Sequence, residues 1–315
     1  MAGDKIRGDT VSRDAITTWL LDADPAIRWQ ALRDISGASA ADVGAERARV
    51  ATNGWGAELL ERQTTDGHWG DDQEHGWMTT NDALALLREL GADPAGPKVR
   101  AAVARVVDHV KWWQLDGRPF FDGETEACIN GRILSAGAYF GASVDRLLEH
   151  LLGEQLEDGG WNCEAPPSTR SSFHSTLCVL EGLLAHERAN GTTPAISEAR
   201  RRGEEYLLAR GLLRSLSSGA IINERWTRFA WPVVWYYDVL RALDYFRAAG
   251  RKPDPRMAEA MALVEQRRDE DGRWPLDDIH PDHSGRLAFD VETEIGKPSR
   301  WITLRALRVL DWYRK

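Results

Sequence analysis

Five side chains of metal-binding or nucleophilic type lie near the starts of two apolar segments in the middle of the chain. Cys163, His174 and Cys178 come just before or inside one segment, and Glu126 and Cys128 stand at the start of an earlier one. Cysteine, histidine and carboxylate side chains are the ligands that zinc uses in proteins. Glu126, Cys128, Cys163 and His174 therefore form a candidate zinc site, in which the metal would supply an activated thiol or water.

Two other interpretations of these residues stay open. His174 and Cys178 are four residues apart, so they would share one face of a helix and could form a different ligand set with Cys163. A buried cysteine is also commonly a small apolar side chain, and Cys178 fits that role. The candidate ligands do not form a compact C-x-x-C motif, so their spacing alone does not decide between these interpretations.

Three arginines are candidates for binding an anionic group of a substrate. Arg170, Arg228 and Arg300 come just before or at predicted helix N-termini, where free backbone N–H groups already favour anions. Together they could hold a diphosphate or a carboxylate. Pairing with the many acidic residues of the surface is the alternative.

Aromatic and acidic residues near predicted helix starts are further candidates for lining a cavity. Trp231, Trp235 and Trp301 could line an apolar pocket, stabilise a cation or fill the interior. Asp238 is the candidate catalytic acid for a cyclase that works without a metal. Asp82 and Arg132 are also expected to face the cavity.

Composition excludes several classes of protein. The chain has 315 residues, of which 43% are hydrophobic, and its net charge is −9. An acidic chain with a sizeable core is not typical of nucleic-acid binding or of disorder. No apolar run is long enough for a membrane span, and the first residues show no secretory signal. With only three cysteines, we expect reduced thiols and a cytoplasmic location.

The elements that must position these residues repeat along the chain. Asp-Gly pairs occur at 66–67, 116–117, 158–159 and 271–272, and the first two intervals are 50 and 42 residues. A period of this length with two helices per unit predicts stacked helical hairpins. Because the second helix of each pair is the more apolar, we expect it in an inner ring. The prediction is an all-α fold, an α/α toroid of five to six hairpins.

The predicted boundaries are as follows. Residues 1–12 are expected to be loose, and residues 13–315 to form a single toroid domain. Two of the predicted helices run over 98–114 and 229–249, and strand signals are absent. The long connection over 275–298 is typical of a lid.

The residues around the Asp-Gly pairs have a predicted structural role. Glycine at a positive φ would end the first helix of a pair in a tight turn. The tryptophan that follows would pack back over that turn, and the preceding glutamine would bond backbone groups left free at the helix end. Each turn would therefore staple neighbouring hairpins together.

The Q-x-x-D-G-x-W units resemble the QW-type repeats of squalene–hopene cyclases and protein prenyltransferase β subunits, over about residues 45 to 314. The resemblance implies an α/α toroid whose cavity takes an apolar or prenyl-diphosphate-like molecule. The chain lacks the D-x-D-D acid of class II terpene cyclases, which argues against cyclisation by protonation. Glu126-Ala127-Cys128 and His174 are similar to the zinc ligands of the prenyltransferase β subunit, with Glu126 replacing that family's aspartate.

These inferences combine into one expected function and one alternative. The first is a zinc-dependent, prenyltransferase-like or cyclase-like enzyme that acts on an apolar substrate, isoprenoids included, in the central cavity. The alternative is a non-catalytic binding or scaffold toroid with structural zinc or none. A partner protein or a homodimer is compatible with either.

Overall fold

The fold is described from a computed structural model that covers residues 13–70, 76–280, 291–292 and 294–315, with backbone alone at 76–77. The predicted loose N-terminus and part of the predicted lid lie outside the described residues. In chain order the helices are α1 (13–21), α2 (Pro25–Ala31), α3 (Ala40–Ala48), α4 (Gly54–Glu61), α5 (Gly76–Leu90), α6 (Pro97–His109), α7 (Ala127–Phe140), α8 (Asp145–Gly153), α9 (Phe173–Asn190), α10 (Pro194–Leu208), α11 (Val239–Ala248), α12 (Ala258–Gln266) and α13 (Arg300–Tyr313). Two short strands, β1 (Lys111–Trp112) and β2 (Arg118–Pro119), pair antiparallel.

Helices α2, α5, α7, α9, α11 and α13 form an inner ring. Helix α7 packs on α5 and α9, and α13 packs on α11 and α2. The ion pair of Arg241 with Glu181 joins α11 to α9, with Nη2 and Oε2 2.7 Å apart. The ring closes where Arg308 Nη2 of α13 donates to Gln30 Oε1 of α2 at 2.8 Å. The prediction of an all-α toroid is thereby confirmed.

The division into apolar inner and charged outer helices follows the sequence. Nearly every residue of α7 is buried, whereas α10 on the outside exposes much of its charged face. One continuous cluster of buried apolar side chains extends from Ile16 to Leu310. Burial of the apolar face of each inner helix against both neighbours is the main force that holds the ring.

A buried tryptophan stabilises each of three repeated turns through the same hydrogen bond. Trp69, Trp161 and Trp274 are buried, and each donates its indole N–H at 2.7 Å to the carbonyl ten residues earlier. The Asp-Gly glycines of these turns have φ between +78° and +102°, a region that disfavours other residues. The predicted turn geometry is confirmed at these positions.

Glutamine links each of two turns to the next hairpin. Gln155 Nε2 donates to the carbonyls of Gly159 at 2.7 Å and Ala199 at 2.8 Å, the second of which lies on α10. Gln63 bonds its own turn and α6 in the same manner. The glutamine therefore connects successive hairpins, as the sequence predicts.

The helix predicted over 98–114 is shorter than expected. Helix α6 ends at His109, and the chain then forms β1, a turn at Asp116 and Gly117, and β2. Both turn residues have positive φ, 55° and 73°. The expectation that strands are absent was therefore wrong at this turn, where an Asp-Gly hairpin replaces the last helical turn.

The helix predicted over 229–249 begins ten residues late, at Val239. Pro232 has no backbone N–H, and its ring disfavours a helix interior. Val234 has a φ of +49°, outside the right-handed helical region. The segment 229–238 is instead an irregular, largely buried stretch with a turn at 234–235.

Candidate functional site

A cavity of about 380 Å³ lies at the N-terminal ends of α5, α7 and α9, and we call it the N-terminal cavity. Its wall combines apolar, polar and sulfur-bearing side chains: Met78, Asn81, Asp82, Glu126, Cys128, Ile129, Arg132, Asn162, Cys163, Glu164, Ser172, His174, Ser175, Val234 and Trp235. All four predicted zinc ligands lie in this wall. The repeat therefore places residues from two different hairpins around one space.

Three of the four predicted ligands form a compact cluster. One ligand atom each from Glu126, Cys128 and Cys163 lies within 4.8 Å of the others. Cys128 is buried, Cys163 is half-buried and Glu126 is exposed. Such a set of two sulfurs and one carboxylate oxygen is the donor chemistry of a zinc site with a position left for water or substrate.

Backbone geometry at two helix starts positions Cys163. The backbone N–H of Cys128, in the first turn of α7, has no acceptor within the helix and donates to Cys163 Sγ over 3.3 Å. Ser175, in the first turn of α9, lies 3.2 Å from the same sulfur through its Oγ. Helix N-termini favour negative charge, so both contacts suit a thiolate at Cys163.

The two clustered thiols differ in acidity. A hydrogen bond from the Cys128 thiol lowers the pKa of Cys163, assisted by Ser175 and opposed by burial. The same contact, together with burial, raises the pKa of Cys128. Cys163 is thus the first of the pair to ionise.

His174 lies outside the cluster, although it faces the same cavity. Its Nδ1 accepts the backbone N–H of Tyr237 at 2.9 Å, so the neutral ring carries its proton on Nε2. Burial, with a further effect of Arg241, lowers the pKa of His174 to about 4. Neither ring nitrogen then has a free lone pair, and this geometry does not support His174 as a zinc ligand. His174 therefore lines the cavity as a neutral ring held by the backbone of the 235–237 segment.

Cys178 does not join the cluster either. It is fully buried, with its sulfur 3.6 Å from Arg241 Nη2 and 3.6 Å from the carbonyl oxygen of Trp235. Burial raises the pKa of its thiol. The arrangement matches the small buried side chain and does not bring Cys178 together with Cys163 into a second ligand set.

A buried ion pair crosses the floor of the N-terminal cavity. Arg132 Nη2 lies 2.5 Å from Asp82 Oδ1, and both residues are less than a tenth exposed. Asp82 Oδ2 and Arg132 Nε have no hydrogen-bond partner among the residues that the structure describes. Buried polar groups are normally satisfied, so these two atoms are available to a bound molecule. The sequence had placed both residues at the cavity, and they line it.

Of the candidate tryptophans, one lines the N-terminal cavity and another is packed in the interior of the ring. Trp235 lines the N-terminal cavity, 5.1 Å from the ring of His174 between centroids. Trp231 is fully buried and stacks on Trp301, with centroids 4.2 Å apart and planes 6° apart. Trp231 therefore fills the interior of the ring instead of lining an open pocket.

The three candidate arginines do not meet. Arg170 and Arg228 are exposed and line none of the described cavities. Arg228 also lies far from a helix start, because α11 begins at Val239. Arg300 donates to the carbonyls of Trp19 at 3.3 Å and Asp22 at 3.0 Å, on the outer side of the ring. The predicted anion site at these residues is therefore not formed.

Asp238 caps a helix. Its Oδ1 accepts the backbone N–H of Arg241 at 2.8 Å as the N-cap of α11. It is 4% exposed, and burial raises its pKa to about 6. It lines none of the described cavities, so its predicted role as a catalytic acid has no geometric support.

Three residues of the cavity wall were not predicted from the sequence. Asn162, Glu164 and Ser175 lie in the wall beside the cluster. Asn162 and Glu164 flank Cys163 in the chain, and Ser175 follows His174. Their polarity beside a candidate ligand was the available signal.

Comparison with known proteins does not identify a function for this chain. No protein-family model matches the sequence, and no curated protein matches it. Among solved structures, the apo form of the type II terpene cyclase MstE from Scytonema is similar at 15% sequence identity, with a TM-score of 0.45. That match covers 96% of this chain and 97% of the other. None of the helices in the described residues is both long and apolar enough to cross a membrane. Function must therefore be inferred from the residues of this chain.

Proposed function

We propose that the protein is a zinc-dependent enzyme whose metal is held by Glu126, Cys128 and Cys163 in the wall of the N-terminal cavity. The observation that carries this proposal is the convergence of one carboxylate and two sulfur atoms within 4.8 Å. Thiolates select zinc and other soft metals over magnesium and calcium. Three protein ligands beside a cavity are the arrangement of catalytic zinc, whereas structural sites use four.

The surroundings of the ligands support the same proposal. The Cys128 N–H and the Ser175 hydroxyl both contact Cys163 Sγ. Hydrogen bonds of this kind fix the orientation of ligands and tune the metal they hold. A zinc ion in this position would lower the pKa of a bound thiol or water and so supply a nucleophile.

The substrate of the proposed enzyme is a small molecule with an apolar and a polar part. Met78, Ile129, Val234 and Trp235 offer the apolar surface of the wall. On the polar side, Asp82 Oδ2 can accept and Arg132 Nε can donate a hydrogen bond, since neither atom has a partner among the described residues. Prenyl compounds, expected from the sequence resemblance, remain one class to test.

The first experiment measures the metal. We expect about one equivalent of zinc per chain by elemental analysis of the purified protein. Cys163→Ser is expected to lose most of it. Cys178→Ala is the matched control, because it removes the third cysteine without touching the cluster, and it is expected to keep the metal. Less than about half an equivalent in the unmodified protein would refute the proposal.

The second experiment separates an enzyme from a scaffold. In cobalt-substituted protein, an added small thiol or prenyl diphosphate should change the visible spectrum if a coordination position faces the cavity. A spectrum that responds to none of these ligands would favour the non-catalytic alternative. His174→Gln tests the placement of the histidine, since the variant should retain zinc.

A further inference from the structure

A second cavity lies at the opposite end of the inner helices. It has a volume of about 510 Å³ and is formed near the C-terminal ends of α2, α5, α7, α9 and α11, together with α13. We call it the arginine cavity, because eight arginines line it: Arg33, Arg47, Arg88, Arg188, Arg241, Arg247, Arg305 and Arg308. It shares no lining residue with the N-terminal cavity.

The negative charges of this cavity are fewer than the positive ones. Its lining carboxylates are Glu89, Glu181 and Asp244. These pair with Arg305, Arg241 and Arg247 respectively. Asp34 pairs with Arg33 and Arg308. A chain with a net charge of −9 thus concentrates an excess of positive charge in one cavity.

Three of the arginines have no carboxylate partner among the described residues. Arg47 donates to the Gly91 carbonyl and the Tyr139 hydroxyl, and Arg188 donates to the Ala248 carbonyl. The guanidinium of Arg88 has no hydrogen bond or ion pair within the described part of the chain, and its Nε is buried. Arg88 is therefore a charged donor aimed into the cavity without an acceptor.

Helix capping explains only some of these arginines. Cations are favoured at helix C-termini, where carbonyl groups lack partners. Arg47 bonds the carbonyl of Gly91, directly after α5, and Arg188 bonds that of Ala248, the last residue of α11. Arg88 bonds no such carbonyl. The charge of Arg88 helps to lower the pKa of Glu181, a carboxylate that Arg241 already pairs, so Arg88 keeps its hydrogen-bond donors free.

The arginines also act on one another. Burial lowers the pKa of Arg188, and the charges of Arg247, Arg200 and Arg88 lower it further. Arg308 is 8% exposed, and burial lowers its pKa to about 10 despite the attraction of Asp34. Within the described part of the chain, the Nε of Arg308 also has no hydrogen-bond partner. Like charges gathered in a space of low dielectric repel, and a bound anion would relieve the repulsion.

We propose that the arginine cavity binds a phosphorylated small molecule, with its phosphate or diphosphate group held by Arg88, Arg188 and Arg308. Arginine is suited to this ligand because its planar guanidinium donates two parallel hydrogen bonds to phosphate oxygens. Arg188 is exposed at the mouth, and Arg308 lies buried at the floor. The ligand therefore enters from solvent on the side of the ring away from the thiol cluster. This site is independent of zinc.

The test is to add inorganic diphosphate to the full-length protein. Calorimetry measures the binding, and thermal unfolding measures the change in stability. We expect saturable binding that raises the unfolding temperature. Arg88→Gln should weaken binding by about tenfold or more, since it removes a charged donor. Arg188→Gln is a second variant with the same expectation. Arg201→Gln, on the outer face of α10 and paired with Glu198, is the matched control and should bind as the unmodified protein does.

Stability distinguishes a binding role of Arg88 from a structural one. If Arg88 serves a ligand, Arg88→Gln should unfold at the same or a higher temperature without diphosphate, because one repelling charge is gone. Absence of saturable binding, or equal affinity in Arg88→Gln and Arg201→Gln, would overturn the proposal. Citrate bound as tightly as diphosphate would also overturn it, since the site would then be one for polycarboxylates.

Discussion

The backbone N–H of Cys128 donates to the sulfur of Cys163 across 3.3 Å, although the two residues stand in different hairpins. This contact depends on the close packing of α7 against α9. It also links the repeat architecture to the chemistry, because the turn that follows Trp161 delivers Cys163 to the start of α7. Changes that alter helix spacing or turn geometry should therefore affect the thiol cluster as well as stability.

The glutamine staple gives a first prediction. Gln155→Met removes two hydrogen bonds to backbone carbonyls at nearly constant volume, and we expect the free energy of unfolding to fall by about 1–3 kcal/mol. Gln266, the last residue of α12, is exposed and its side chain has no hydrogen bond within the described residues, so it serves as the control. Gln266→Met should change stability by less than about 0.5 kcal/mol. Urea denaturation of both variants tests the difference, and equal effects would contradict a linking role for Gln155.

The staple also shows which parts of the fold could be predicted. Gln155, Gly159 and Trp161 act through bonds to nearby or repeating positions, so their spacing carries the information. The segment 229–238 could not be predicted in this way, because its apolar aromatic residues suit a buried helix as well as a buried irregular stretch. Pro232 was the local signal against the helix.

The two cavities also differ in how far their lining residues could be predicted from the sequence. Cys128 and Cys163 could be associated because each precedes or begins an inner helix of a recognisable hairpin. Arg88 and Arg308 could not, since each looks in sequence like an ordinary arginine of an amphipathic helix. Only closure of the ring brings α5 and α13 to one space. The sequence predicted that Arg170, Arg228 and Arg300 lie near helix starts and would meet at one site. They do not meet, because the sequence does not show which way a side chain faces.

Glycine at the contact of α7 with α9 gives a second prediction. A Cβ added to Gly131 would lie 2.5 Å from the carbonyl carbon and oxygen of Cys178. Gly131→Ala should therefore force the helices apart and lower the free energy of unfolding by about 1–3 kcal/mol. It should also increase the reactivity of Cys128 and Cys163 towards a thiol reagent.

The control for this variant is Gly44→Ala. Gly44 lies within α3 with nothing within 4 Å of an added Cβ. We expect this variant to gain about 0.5–1 kcal/mol in stability, because alanine favours the helix. Thermal unfolding and thiol-labelling rates measure both effects. A Gly131→Ala protein as stable as the parent would show that the two helices are not in close contact.

The N-cap of α11 gives a prediction about pH. Burial raises the pKa of Asp238 from its usual 3.8 to about 6. The folded protein therefore binds this proton more readily than the unfolded chain. The charged carboxylate reduces stability above about pH 6, and the reduction disappears as pH falls towards about 4. Its size is at most about 3 kcal/mol.

Asp238→Asn keeps the capping oxygen and removes the charge. We expect it to raise the free energy of unfolding at pH 7.5, with a gain that vanishes near pH 4. Asp254→Asn is a control of opposite sign, because hydrogen bonds from Arg256 lower the pKa of Asp254. That variant should be the less stable one at neutral pH. Denaturant titrations between about pH 4 and 7.5 measure the free energy of unfolding of both variants. A pH-independent effect of Asp238→Asn would contradict the burial of its charge.

The buried pair of Asp82 and Arg132 gives the last prediction. Asp82→Asn leaves the guanidinium of Arg132 buried without a counter-charge, and we expect a loss of about 3–5 kcal/mol in the free energy of unfolding. Arg132→Met should have a similar effect, because it leaves the carboxylate of Asp82 buried without a counter-charge. The double variant should lose less than the sum of the single losses, because each single variant already breaks the pair. The exposed pair of Arg201 and Glu198 is the reference, with an expected coupling below about 0.5 kcal/mol. A coupling between Asp82 and Arg132 as small as that reference would mean that the cavity floor is solvated, and the two atoms assigned to a substrate would then be bound to water instead.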